Sequence, residues 1–267
     1  VEQGHQGEGL LGQVVTRLME EELTRGRTHL FVYTKGQSAK FFGDLGFYEI
    51  ARAAGQVVFL ENRRRGFSDY LAALEKSRVK APRVAAIVMN ANPFTLGHRH
   101  LVERATGEND AVHLFLLSED ASLVPFSVRR MLVEQGVADL GNVFLHDSGP
   151  YIISSATFPS YFLKDEAAVI EGHARLDLAV FSKIAAALGI TRRYVGEEPT
   201  SQVTGIYNRV MLEELPRLGI GCVVVPRLAA GGAAVSASTV RQLIHDGRLE
   251  AIRPLVPEST YAFFQGP

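Results

Sequence analysis

The chain has 267 residues, 46% of them hydrophobic and 21% charged, fractions that argue against large-scale disorder and against a fibrous fold. Its 28 Lys and Arg stand against 29 Asp and Glu, and the formal net charge of -1 argues against a nucleic-acid binder with a broad basic footprint. The length suits one large domain or two smaller ones, with enough chain for a real core.

The chain opens on a glycine-rich turn and carries no basic-then-apolar leader, and no apolar run approaches the roughly 20 residues that span a bilayer. A cytoplasmic location with no membrane partner is therefore expected. Leu10, Leu11, Val14, Val15, Leu18 and Met19 recur at helical spacing, with Glu20, Glu21 and Glu22 on the wetter side. Leu30–Tyr33 predicts a strand, Ser38–Leu45 a helix stopped by Gly46, and Phe47–Ile50 and Val57–Leu60 two strands joined at Ala54-Gly55. Arg63, Arg64 and Arg65 form a solvated surface run ahead of a helix from Phe67 to Lys76. Ser77–Arg83 is the expected linker, which sets domains at 1–78 and 79–267.

Beyond it, strands and helices alternate. Val84–Met89 is a continuous apolar run, as in a parallel strand covered on both faces. Strands are expected at Ala111–Leu117, Asn142–Leu145, Arg193–Val195 and Cys222–Val225. Helices are expected at Gly97–Thr106, Ser127–Val137, Glu166–Leu188, Ile206–Leu215 and Thr239–His245. The pattern predicts an α/β fold with a doubly wound parallel sheet, preceded by a smaller partial α/β layer. The lone cysteine, Cys222, lies in an apolar strand and reads as a packed thiol; a single cysteine allows no intramolecular disulfide and no cysteine-rich zinc site.

Doubly wound sheets bind ligands outside the carboxyl ends of their strands. There the first parallel strand runs into Asn92-Pro93-Phe94-Thr95-Leu96-Gly97-His98, with a cap-forming Thr, a Gly that permits close approach, and a His in the first helical turn. A helix N-terminus offers unpaired N–H groups and a positive dipole end, which suits phosphate. A helix cap beside a surface histidine fits the same residues. After the last strand, Gly231-Gly232-Ala233-Ala234-Val235-Ser236-Ala237-Ser238-Thr239-Val240-Arg241 leads into another helix, capped by Ser238 or Thr239, with Arg241 placed to reach phosphate oxygens. Two such loops could enclose a triphosphate from two sides.

Thr95-Leu96-Gly97-His98 resembles the T/H-x-G-H signature of the nucleotidylyltransferase superfamily, and Val235–Arg241 resembles its I-S-S-T-x-x-R signature with the arginine one residue early. With Ser154–Lys164 and Val195-Gly196-Glu197-Glu198-Pro199, these strings are similar to the [citrate (pro-3S)-lyase] ligase family over residues 84 to 250. The N-terminal part is similar to a GNAT-type acetyltransferase domain through Gln6–Leu11 and Phe41–Phe47; the strands that should precede its glycine loop are missing, as in a chain truncated at its N-terminus.

The resemblance implies a Rossmann-like nucleotidylyltransferase (HUP) fold and an acid–thiol ligase. Acetate would attack the α-phosphorus of ATP to give acetyl-adenylate and pyrophosphate. The thiol of a CoA-like group on the citrate lyase acyl-carrier subunit would then take the acetyl group. His98, Arg241 and Lys164 are the implied catalytic groups. Asn92, Phe94, Thr95, Gly97, Gly196, Glu197, Ser236, Ser238 and Thr239 are the implied nucleotide contacts, with ATP and Mg²⁺ as cofactors and no residue assigned as a metal ligand. Arg129 and Arg130 fit a helix surface at least as well as a ligand role, and His100, Tyr151 and Asn208 could line an acetate or thiol pocket. The alternatives are an adenylyltransferase acting on a phosphomonoester and a nucleotide-binding regulator without turnover.

Overall fold

The computed structural model describes residues 9–53, 57–119, 122–152, 166–198, 202–230 and 232–266. The chain divides into two compact units after Tyr70. The segment expected as a linker is tied into the second unit: Arg83 pairs with Asp110 at 2.7 Å and Arg78 Nη1 donates to the Ala187 carbonyl at 3.4 Å.

The first unit carries α1 (Leu10–Thr24), β1 (Phe31–Lys35), α2 (Ala39–Asp44), β2 (Tyr48–Ala53) and β3 (Val57–Glu61). Its antiparallel sheet has the order β1-β3-β2, so the most apolar strand, β3, lies in the middle and is buried throughout. Ala39, Phe47, Val58 and Leu60 form its core. The Ala54-Gly55 turn lies outside the described residues. The expected helix α1 forms and its Met19 packs on this core, but α1 has no buried residue, and Leu11, Val14 and Leu18 are 43%, 56% and 59% exposed. Periodicity marks an apolar stripe but not what covers it.

α3 (Gly66–Glu75) crosses the boundary between the units. The second unit then alternates as expected through β4 (Val84–Met89), α4 (Leu96–Glu108), β5 (Ala111–Leu116), α5 (Phe126–Gly136), β6 (Val143–Asp147), α6 (Glu166–Leu188), β7 (Arg192–Gly196), α7 (Gln202–Arg217) and β8 (Gly221–Val225). The strands pair in the order β6-β5-β4-β7-β8, all parallel, with Ile87 of β4 opposite Leu114 of β5 and Tyr194 of β7. Strand order reverses on either side of β4, so the fold is a doubly wound, Rossmann-like α/β sheet with its switch point at β4. Ile87, Leu114, Leu116, Val102 and Leu132 are wholly buried in one cluster, as a sheet covered by helices requires. Cys222 sits on β8, and burial pushes its thiol up, which suits a packed thiol.

Past β8 the structure adds elements the periodicity does not disclose. β9 (Ala229–Ala230) and β10 (Ala233–Ala234) make a two-residue hairpin around Gly232 at φ 82. After α8 (Ala237–His245), a 3₁₀ segment (Leu249–Leu255) and α9 (Glu258–Gln265) pack on it through Val240, Ile252, Val256 and Tyr261. Pro254 inside that segment and Pro257 at the cap of α9 interrupt the helical spacing.

Candidate active site

The β4–α4 loop and the N-terminus of α8 meet at the carboxyl edge of the sheet and wall a cleft of about 410 Å³. Thr95, Gly97, His98, Gly196, Glu197, Ser236 and Ser238 line it, together with Asn90, His100 and Arg227. Six residues after β4 the chain turns into α4 at Thr95, whose hydroxyl accepts from the His98 N–H at 3.3 Å. His98 Nδ1 in turn accepts the Thr95 main-chain N–H at 3.1 Å and contacts Thr95 Oγ1 at 2.9 Å. A main-chain N–H can only donate, so Nδ1 is unprotonated and the ring proton is on Nε2. The usual capping box has Glu or Gln at the third position. Here a histidine closes it and keeps its second nitrogen as a donor for the cleft.

Burial, then the charges of Arg227 and Arg241, lower the His98 pKa to about 4. The imidazole is therefore neutral at physiological pH and donates a hydrogen bond without carrying charge. Phe94 supports it from below: the rings stack with centroids 5.9 Å apart at 15°. Phe94 is itself 0% exposed, and a Cβ on Gly136 would lie 2.4 Å from its ring. The expected nucleotide contact by Phe94 is thereby corrected; a side chain with no surface can only position its neighbour.

Asn92 is likewise a tie between loops and does not line the cleft. Its Oδ1 accepts from Val124 N–H at 3.1 Å, and its main-chain carbonyl accepts from Arg241 Nη1 at 2.7 Å. Gly97 lines the cleft, and its lack of a side chain has a second use. A Cβ there would stand 3.1 Å from the Val235 carbonyl, so the missing side chain admits the second loop.

The cap of α8 is Ser236, two residues before the expected Ser238: Ser236 Oγ accepts from Thr239 N–H at 3.1 Å, and the two hydroxyls lie 2.9 Å apart. The helix starts earlier because Ser236 holds extended backbone at φ -132. Ser238 then falls in the first turn and accepts from Arg241 Nη2 at 3.1 Å, while Thr239 faces its own cap. Lys164, and with it Ser154–Lys164, lies outside the described residues.

On the third side, Gly196 ends β7 and its carbonyl accepts from Asn208 Nδ2 at 3.1 Å. The Glu197 N–H donates to Val225 at 2.8 Å, and its side chain is exposed. Arg227, which no motif singles out, donates from Nε to the Glu197 carbonyl at 2.9 Å and pairs with Glu198. Its only sequence signal is a cation directly after the last strand of a doubly wound sheet. Arg129 is 0% exposed rather than on the helix surface, and donates to the carbonyls of Asn90, Leu117, Glu119 and Val124, stapling the strand-end loops. Arg130 is a surface residue paired with Asp147 at 2.6 Å. Tyr151 is buried at 3% exposure.

Two helix N-termini, one neutral imidazole N–H and Arg227 thus line one cleft, a donor set fitted to an anion that spans several oxygens, whereas Arg241, expected to reach phosphate, does not line it and is held by the Asn92 carbonyl and Ser238. Among the described residues no group of three or more His, Cys, Asp or Glu could hold a metal ion, and no helix is long and apolar enough to cross a membrane.

Residues 84–264 match the citrate lyase ligase C-terminal domain. The chain is 41% identical to the [citrate [pro-3S]-lyase] ligase of Haemophilus influenzae over 99% of its own length and 81% of that protein. It is 42% identical to that of Klebsiella pneumoniae, over 97% of this chain and 77% of the relative. It is 40% identical to that of Escherichia coli, over 97% and 75%. Among solved structures, the pantothenate synthetase of Thermus thermophilus is similar over 68% of each chain, with 22% identity and a TM-score of 0.46. Agreement of this extent with three curated enzymes places the chain, plainly, in the [citrate [pro-3S]-lyase] ligase family.

Proposed function

We propose that the chain is an ATP-dependent ligase that activates acetate as acetyl-adenylate and acetylates the thiol of the CoA-like group on the citrate lyase acyl-carrier subunit. A carboxylate oxygen of acetate attacks the α-phosphorus, the bond from that phosphorus to the bridging oxygen breaks, and pyrophosphate leaves. The thiol sulfur then attacks the acetyl carbonyl, AMP leaves, and the thiol proton passes to solvent. Acetate is already ionised at neutral pH, so the first step needs positioning and charge stabilisation rather than a base.

The observation that carries this reading is the locked tautomer of His98, which leaves a neutral Nε2–H donor at the cleft, the kind of group that would stabilise charge building on the α/β-bridge. The first turn of α4 and that of α8, with Ser236 and Ser238, supply further donors, and Arg227 and Arg241 supply positive charge. Mg²⁺ would ride on the outer phosphates, which commonly complete its coordination. Gly196 and Glu197, which line the cleft, would meet the nucleoside end. Lys164 is retained as a second cation on its motif alone. For the first unit, the acetyltransferase-like reading is likewise a proposal, supported by its glycine-led helix and antiparallel strands.

Mass spectrometry of products formed from ATP, Mg²⁺ and acetate tests the reading. A product with the mass of acetyl-AMP is expected, with one pyrophosphate released per molecule. Pyrophosphate release that needs a phosphomonoester in place of acetate would overturn it in favour of an adenylyltransferase. ATP binding without any product from either acceptor would favour a regulator.

A further inference from the structure

A second cavity, of about 300 Å³, adjoins the cleft, and Val88, Leu101, Gly196 and Thr204 line both. It lies between β7 and the helices α6 and α7, and its polar groups are unusual for so covered a place. Arg193 on β7 is 5% exposed and Asp177 on α6 is 3% exposed. Their closest approach, Nη1 to Oδ2, is 3.6 Å, longer than a hydrogen bond. Arg193 Nε and Nη1, and Asp177 Oδ1, have no hydrogen-bond partner among the described residues. What holds the guanidinium is the Phe181 ring, whose centroid is 4.4 Å from Cζ. Buried arginine donors are ordinarily used up, because leaving them unmade forfeits the hydration they had in water. A guanidinium fixed through its face, with N–H groups unspent, is built to receive an anion. His173, Thr204, Tyr207 and Asn208 also line the wall, and Leu117, Ile152, Val195 and Met211 make its apolar part.

We propose that this cavity is the carboxylate subsite: Arg193 binds the carboxylate of a short aliphatic monocarboxylic acid, whose hydrocarbon end lies against Ile152, Val195 and Met211. This rests on the ligase reading above, because the shared wall sets the bound carboxylate beside the phosphate cleft. Asp177 sets the selectivity. Its charge offsets that of Arg193, so a bound monocarboxylate leaves the site with one net negative charge and each further carboxylate adds another, which rejects di- and tricarboxylates. The depth of the apolar wall limits chain length.

The test measures acetate-dependent pyrophosphate release in the wild type, Arg193→Gln, Arg193→Lys and Val203→Phe. Val203 lines this cavity and not the first cleft, and is 41% exposed, so a larger side chain there would narrow the cavity without entering the core. Both arginine variants should raise the acetate KM at least tenfold and leave the ATP KM within twofold. Val203→Phe should depress activity with propionate more than with acetate. Asp177→Asn should relax rejection of succinate. Saturation-transfer NMR with acetate and no nucleotide reads the subsite independently of turnover, and the signal should vanish in Arg193→Gln. An unchanged acetate KM in folded Arg193→Lys, or unchanged acid selectivity in Val203→Phe, overturns the subsite even where acetyl-adenylate forms. Absence of acetyl-adenylate from the wild type overturns the ligase reading instead, and the NMR signal still decides whether Arg193 binds the acid.

Discussion

Arg241 Nη1 donates to the main-chain carbonyl of Asn92 at 2.7 Å, joining residues 149 positions apart in the chain. The same guanidinium reaches Ser238 at 3.1 Å, so one side chain clamps the loop after β4 to the first turn of α8. Its charge also helps hold His98 neutral. Replacing Arg241 with Lys keeps one positive charge but cannot span both partners. Acetyl-adenylate formation by Arg241→Lys should fall by about tenfold or more, with a rise in the ATP KM, measured by initial-rate pyrophosphate release.

His98 can be separated into a cap and a donor. Gln is an ordinary capping-box residue, so His98→Gln should keep stability within about 0.5 kcal/mol of wild type by denaturant titration. His98→Ala removes both functions and should lower the rate by about 10²–10³, the size of a lost oxyanion-type donor. Because its pKa is pushed down to about 4, His98 adds no inflection to the rate profile between pH 6 and 8. An inflection that disappears in His98→Gln would contradict the neutral-donor role.

Gly136 gives the Phe94 ring its room. The Cβ of Gly136→Ala would stand 2.4 Å and 2.7 Å from two ring carbons, and the ring is wholly enclosed. Destabilisation of about 1–3 kcal/mol is expected from such overpacking. The displaced ring should also disturb the stacked His98, so the folded variant should lose rate under conditions where it remains native by circular dichroism.

Arg129 serves four carbonyls from a position with no exposure. Arg129→Met fills similar volume and donates nothing, leaving those acceptors without their shared donor. A loss of about 3 kcal/mol or more is expected, since each abandoned buried acceptor costs about 1–3 kcal/mol. Urea unfolding midpoints measure it.

His113 and His146 give stability a pH dependence of known sign. They face each other at 2.8 Å, and burial above all lowers both to about 4. The neighbouring His146 also disfavours the charged form of His113; at His146, Asp147 raises the pKa and Arg130 lowers it. In the unfolded chain the value returns to about 6.5. The unfolded state thus binds more protons between about pH 4 and pH 6.5, so stability rises with pH across that window and is fully present above it. Urea midpoints should fall from pH 6.5 to 5 and be flat from pH 7 to 8 for this contribution. His113→Phe should reduce the slope.

The strands β4 to β8 and the helices between them were legible because their cause is local. A run such as Val84–Met89 has to be covered on both faces, and helices must alternate with parallel strands to do it. The glycine and threonine ahead of His98 were legible for the same reason, since a cap is set within three or four residues. Local spacing was less use at α8. Ser236, Ser238 and Thr239 are chemically similar, and only the observed backbone selects Ser236 as the cap.

The amino-acid sequence by itself determined the alternating elements, the carboxyl edge where ligands must sit, and the pair of hydroxyl- and glycine-bearing turns that open helices there. Tertiary structure decided which residues share a cleft: that Phe94 props His98, that Gly97 admits the Val235 carbonyl, that Arg227 lines a side, and that Arg241 clamps the two loops together. It also put Arg193 opposite Asp177 beneath the nucleotide edge. The physical reason is range. Periodicity and capping act over one helical turn or one strand, whereas burial, ion pairing and the pKa of an enclosed imidazole depend on groups that the fold alone brings together.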